Sequence, residues 1–380
     1  MKVLATCVAL IVIAAMVTAA RGGHEFPVYP SYYPHEISID VVAPERAGDL
    51  LLASKIQAYI GSDPRFAEPP PDPLRAVESL GSFVVVRVNP QSLFARDNAA
   101  ACSVARAIVA DIGKQHGPLV FHPFPITSLD GDYLYHADQA DAAKAKVGED
   151  TGAASALRRL RVRASSDLAK DLVRPAWYTR EDRWDAIVEE VRAGDLLAAA
   201  TRTTNGWSGA PWARAGWFRS ALLLADAADD ASTRSRIQEN LRRLEHGAYA
   251  NAVERINLQR ELVADLSASC HTMVAGYTLK REYVSTEYSA GIENIAWDAI
   301  DGLAAPIFLR TVKLKDFPWN GWLALGIHAA PAAAWNPIAG LTDPFGRLLW
   351  SALGDPAEIP AGDSGWLFNR VSDVRIAPSR

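Results

Sequence analysis

Phe83-Val84-Val85-Val86-Arg87-Val88 decides how this chain is built. Aromatic and β-branched side chains fit a pleated, packed surface. Their unbroken apolar character predicts a strand covered on both faces. Working outward, Ile37-Ser38-Ile39-Asp40-Val41-Val42 alternates as a strand does, and Leu119-Val120-Phe121 reads as a further short strand. Helices are expected over Leu50–Ile60, ending at Gly61, and from about Asn98 to Ile112. Pro69-Pro70-Pro71 forces an extended loop between the first helix and the central strand. This alternation predicts an α/β layer over residues 21–150.

Beyond residue 150 the hydrophobic period changes. Trp184, Ile187, Val188 and Val191 mark one helical face, with Thr179 and Asp182 as its cap. Trp217, Phe218, Ala221 and Leu222 mark another. Ser232–Leu266 carries the longest helical pattern, through Ile237, Leu241, Leu244 and Ala248. Cys270, Met273, Val274 and Tyr277 read as a further helix, and so do Ile292, Ile295, Ala299 and Leu303. The expectation is an α+β protein: an α/β domain over 21–150, a helical domain over 151–310, and an irregular segment over 311–380 packed on the helices. Phe317–Thr342 holds no charged residue and has the hydropathy of a membrane span. Pro318, Pro331 and Pro337, with Asn320, His328 and Asn336, would leave polar groups unsatisfied in lipid. Short helices and buried loops are expected there instead.

The first twenty residues have the order of a secretory signal: Lys2, an apolar core from Leu4 to Val17, then Thr18-Ala19-Ala20. Cleavage is expected after Ala19 or Ala20, delivering the protein to the periplasm or the extracellular space. The apolar run is shorter than the roughly 20 residues of a bilayer span. Cys7 precedes most of that run, unlike a lipoprotein cysteine. Cys102 and Cys270 remain after cleavage and are expected to pair in an oxidising compartment; two separate buried thiols are the alternative.

With 49% hydrophobic and 22% charged residues, the chain has the composition of a globular protein. A formal net charge of −5 gives no basic face for nucleic acid. Eleven tryptophans stand against three methionines, and tryptophan both buries well and stacks on ligands. The dinucleotide, Walker, zinc-protease and haem-attachment signatures are absent, and Gly206-Trp207-Ser208-Gly209 is one residue short of a nucleophile elbow.

Two stretches can carry chemistry. His122–Asp141 gathers two histidines, four aspartates and two tyrosines just after a strand. A helix from about Asp132 would set Asp132 and His136 one turn apart. His122 would join them from across the turn, and His35 or His24 from the aromatic N-terminal segment. Imidazoles with a carboxylate suit a divalent transition metal. The alternative is a turn at Asp130-Gly131, a capping Asp132 and a packed His136. The second stretch is Trp207, Trp212 and Trp217 with Arg214 and Asn205, where aromatic faces beside polar groups can hold a flat ligand or simply anchor helices. Carboxylates such as Asp182, Glu189, Glu287 and Glu293 are plentiful, but no glycosidase pair stands out. The leading expectation is an exported ligand-binding or accessory protein with a pocket at the α/β–helical junction and a small molecule or protein as partner. The others are an exported enzyme, metal-dependent or a carboxylate-based glycan hydrolase, and a subunit docked peripherally on a membrane complex.

Overall fold

The computed structural model describes residue 34 and residues 36–115, 117–149, 159–199, 210, 212–224, 230–316, 321–332, 343–353, 358–360 and 366–368. The expected signal segment, His24, His35, Asn205 and Trp207 lie outside these. Strands β1 (Glu36–Val41), β2 (Ala58–Ile60), β3 (Leu74–Val88) and β4 (Leu119–Phe121) come first, with helices α1 (Pro44–Leu52) and α2 (Asn98–Ile112) between them. Then follow α3 (Ala137–Glu149), β5 (Val162–Ala164), α4 (Asp167–Asp171), β6 (Ala186–Arg192), α5 (Ala193–Ala199) and α6 (Gly216–Leu223). Next come α7 (Ala231–Glu245), α8 (Ala252–Leu266), β7 (Thr272–Ser285), β8 (Ile292–Asn294), α9 (Pro306–Thr311) and β9 (Lys313–Leu314). The last are β10 (Trp322–Ile327), α10 (Pro344–Leu353), β11 (Glu358–Pro360) and β12 (Trp366–Phe368). The class is α+β.

One mixed sheet of eight strands organises the molecule, in the order β1-β10-β2-β7-β3-β6-β5, with β4 beside β7. Its spine is the long antiparallel pair β3–β7, running from Leu74 opposite Ser285 to Arg87 opposite Thr272. Phe83, Val84, Val85 and Val86 are each fully buried, on alternate faces as a strand requires. Phe83 and Val85 pack with Trp217, Ile237, Leu262 and Leu266 under α6, α7 and α8. Val84 and Val86 pack with Val104, Ile108, Val109 and Val188, chiefly under α2. The double-sided burial expected of this run is what the sheet shows.

Several local readings are corrected. Cys270–Tyr277 and Trp184–Val191 do not form helices; they supply the first part of β7 and most of β6. A bulge at Ala275, where β3 and β7 shift register, breaks the alternation that would have marked β7 as a strand. In β6, Glu189 and Glu190 stand where a half-buried strand would carry apolar groups. Glu189 pairs with Arg87 at 2.6 Å, and Glu190 accepts from Ser82 at 2.9 Å and Ser166 at 2.7 Å. Leu50–Ile60 is not one helix, since α1 stops at Leu52 and β2 follows. The stretch from Ile292 to Leu303 holds β8 and turns in place of a helix. The Ser232–Leu266 pattern is two helices. Gly247, at φ +64°, ends the first: Ala248 N–H reaches Arg243 O at 2.8 Å and Gly247 N–H reaches Leu244 O at 3.4 Å. Asn251 caps the second through Glu254 N–H at 3.0 Å.

The uncharged C-terminal stretch also differs from its reading. Its residues 322–327 form β10, which runs parallel between β1 and β2. Leu323, Leu325 and Ile327 are buried there, against Ile60 and Phe308 among others. Among the described residues no helix is long and apolar enough to cross a membrane.

Candidate functional site

β4 delivers His122 into a turn that is held by its own polar groups. His122 Nε2 lies 2.8 Å from Ile126 O. Thr127 donates to Asp130 Oδ2 from both its backbone N–H, at 2.8 Å, and its hydroxyl, at 3.0 Å. The other carboxylate oxygen of Asp130 meets Arg219 of α6 in a fully buried ion pair. Asp132 accepts from Gly216 N–H at 3.1 Å and Trp217 N–H at 3.0 Å, at the start of α6. Tyr133–Tyr135 forms a single 3-10 turn, so α3 begins only at Ala137. His136 is buried, with Nδ1 2.8 Å from Gln139 Oε1, and Gln139 Nε2 donates to Arg260 O at 3.1 Å.

Burial sets the charges of this cluster. It pushes His122 and His136 below the ordinary imidazole range, and it pushes the Asp132 carboxyl up, helped by neighbouring Asp130. At the surface the opposite holds: the two-pronged hydrogen bond from Arg260 holds Asp138 down at about 2.

The structure therefore brings His122, Asp132 and His136 into one neighbourhood, but with different partners. Asp132 faces the amides of α6, His122 a carbonyl and His136 a side-chain amide. Among the described residues no three His, Cys, Asp or Glu side chains are grouped to hold a metal ion.

The tryptophan stretch packs against the same turn. Trp217 is buried, Trp212 lies with its ring centroid 4.6 Å from that of Phe218 and 6.1 Å from that of Trp217, and Trp212 Nε1 donates to Glu245 O at 2.9 Å. Arg214 is buried between Asp298 and Asp301, the latter at 3.1 Å. The two stretches singled out in the sequence are thus joined through Asp132 and Asp130.

Next to this joint lies a cavity of about 260 Å³. One face of α3 lines it, through Gln139, Ala142, Ala143 and Lys146. This is the i, i+3, i+4, i+7 set of a helix. The end of α8 adds Ala264, Ser267 and Ala268, and Phe124 faces it between Pro123 and Pro125. Cys270, Thr272, Met273 and Val274 form its floor, and Arg106 of α2 reaches its rim. On the side of β7 away from β3, β4 pairs with residues 276–278 and β2 with 283–284. Thr272–Val274 therefore border the cavity as an open strand edge among the described residues. Gly276 lets β4 approach so closely: a Cβ there would meet Val120 O at 2.2 Å.

Cys102 and Cys270 form a disulfide, Cα atoms 4.7 Å apart, that ties α2 to the first residues of this floor. Arg106 stands one helical turn after Cys102, so the bridge also fixes the segment that presents it. Sequence reasoning singled out none of Arg106, Gln139, Lys146 and Thr272 as ligand-binding. The spacing of Gln139, Ala142, Ala143 and Lys146, a helix face too small to fill a core, was the available signal.

No family model matches the chain, and no curated protein matches it in sequence. Among solved structures it is similar to the ABC transporter-associated periplasmic binding protein DppA from Helicobacter pylori, in complex with peptide STSA. The TM-score is 0.39 at 10% identity, covering 71% of this chain and 53% of that one. The oligopeptide-binding protein AppA from Bacillus subtilis, in complex with a nonapeptide, matches with TM-score 0.37 at 13% identity, covering 72% and 59%. NikA from Brucella suis, in complex with Fe(III)-EDTA, matches with TM-score 0.39 at 13% identity, covering 70% and 59%. The chain spans between half and three fifths of the length of these proteins.

Proposed function

We propose that the chain is an exported ligand-binding protein and that the cavity between α3, α8 and the start of β7 is its ligand site. The cavity itself carries this reading. At about 260 Å³ it lies just below the ~300–1,000 Å³ common for small-molecule sites, which suits a small ligand. It combines an apolar wall with a few polar groups at the meeting of several elements, where such sites concentrate. A disulfide ties its floor to α2, and a buried ion pair and the capped N-terminus of α6 hold the adjoining turn. Export is supported by the order of charged, apolar and small residues in the first twenty positions.

Two measurements test this. Mass spectrometry of the protein purified from its secreted or periplasmic fraction, under native and then denaturing conditions, is expected to release a small molecule. The variants Ala142→Phe and Ala264→Phe add bulk at exposed positions of the cavity wall. They should abolish that occupancy while keeping the wild-type circular dichroism and melting temperature. An empty native protein that binds nothing in a small-molecule screen overturns the ligand site. Amino-terminal sequencing is expected to begin at Ala20 or Arg21, and an intact Met1 in a soluble cytoplasmic fraction overturns export.

A further inference from the structure

The chain carries a net charge of −5, yet the described residues lining this cavity include two cations, Arg106 and Lys146, and no carboxylate. Resting on the binding reading above, we infer that the cavity takes a small organic monoanion, a carboxylate with an apolar body. The polar groups sort to one chemistry. Lys146 is exposed at the mouth and Arg106 is half-buried at the rim. Thr272 is buried, and its hydroxyl accepts from Arg87 at 3.2 Å. With that lone pair engaged by a guanidinium, the Thr272 hydroxyl has its own proton to give to an acceptor. Ser267 adds a second hydroxyl.

One feature opposes an anion. Ser267 and Ala268 lie at the C-terminus of α8, which presents carbonyl oxygens worth about −0.5 charge within the last turn. Lys146, exposed at the mouth, brings a full charge against that half charge. Arg106 is also held on a helix pinned by the Cys102–Cys270 bridge, so its position does not depend on the ligand.

The apolar groups set the other end. Phe124, Leu224 and Val274 belong to one apolar cluster, Met273 lines the cavity from the other face of β7, and Ala142, Ala143 and Ala264 leave room. Phe124 offers a ring for an aryl or alkyl body, and Met273 a polarisable edge. A doubly charged or sugar-like ligand would strand polar groups against this wall. A single charged head with an apolar body satisfies both ends.

The test uses three probes of one shape, 3-phenylpropanoate, 3-phenylpropanamide and 3-phenylpropylamine, titrated calorimetrically into the mature protein after denaturation and refolding to remove any resident ligand. The carboxylate is expected to bind at least about tenfold tighter than the amide, the amine not at all. Lys146→Glu and Arg106→Gln should each lower carboxylate affinity about tenfold and leave amide affinity within about twofold. Lys146 is exposed, so its variant does not threaten the fold. If amide and carboxylate bind equally, or the amine binds best, and Ala264→Phe blocks them, the cavity stands as a site and the anion is overturned. Binding that survives Ala264→Phe, or no binding by any probe, overturns the assignment to this cavity.

Discussion

The carboxylate of Asp132 accepts the backbone N–H of Trp217 at 3.0 Å, joining two stretches 85 residues apart in sequence. It accepts Gly216 N–H as well, so an acidic side chain from one loop caps the N-terminus of α6, where anions are favoured by the helix dipole. Replacing Asp132 by Ala should therefore destabilise the protein by about 1–2 kcal/mol, read from denaturant unfolding. Metal content by elemental analysis should be the same in wild type and variant. A loss of bound metal would instead make Asp132 a ligand together with His122 and His136.

The Asp130–Arg219 pair is fully buried, with the guanidinium above the ring of Phe83 at 5.9 Å. Removing one partner leaves an uncompensated buried charge. Asp130→Asn is expected to cost about 3–5 kcal/mol. The double variant Asp130→Asn with Arg219→Met should recover part of that loss, because it removes the buried unpaired guanidinium while the asparagine amide oxygen can still accept from Thr127. Equal losses in the single and double variants would contradict this.

The Cys102–Cys270 bridge closes a loop with a sequence separation of 168. In the chain-entropy model such a closure stabilises by about 5 kcal/mol. Cys102→Ala should lower the denaturation midpoint accordingly, and reduction should do the same to the wild type. Thiol counting on denatured, unreduced mature protein is expected to find neither cysteine free.

Stability should fall with acid near neutrality. Burial holds His122 and His136 below the ordinary imidazole pKa, so the unfolded chain takes up these protons first as pH drops. Their contribution is complete above the unfolded value of about 6.5 and is lost below it, down to their folded values. Asp132, pushed up by burial, has the opposite sign: its contribution is complete below the ordinary carboxylate range and is lost as pH rises through its folded value. Melting temperatures between pH 7.5 and 5.5 should therefore decline with a steeper slope in wild type than in His136→Gln. Parallel slopes would show that His136 does not titrate in this window.

Among the described residues from 36 to 121, three elements were legible because local signals there agree. Valine-rich β3, the helix from Asn98 to Ile112 and the strand at Leu119–Phe121 stand where propensity and period put them. Caps were not legible: Asp97, Asp230 and Asn251 each accept a helix N–H in the structure, while Thr179 and Asp182, the expected cap, precede strand β6. The turn at Asp130-Gly131, the capping role of Asp132 and the buried imidazole of His136 were open in the sequence beside a metal site. Only the arrival of α6 showed what Asp132 caps.

What the sequence by itself determined is thus the local part: a doubly buried central strand, the helix from Asn98 to Ile112, the stock of charged and aromatic groups, and two cysteines able to pair. Tertiary structure alone decided the rest. Backbone hydrogen bonds are blind to sequence distance, so β10 can take a place between β1 and β2 although nearly the whole chain separates them. A bulge in β7 and paired glutamates in β6 hide strands from any count of periodicity, because the neighbours that satisfy them lie far along the chain. The cavity belongs to the same class. Arg106, Lys146 and Thr272 are ordinary residues of three separate elements, and they line one cavity only because β3, β7 and the disulfide set those elements side by side.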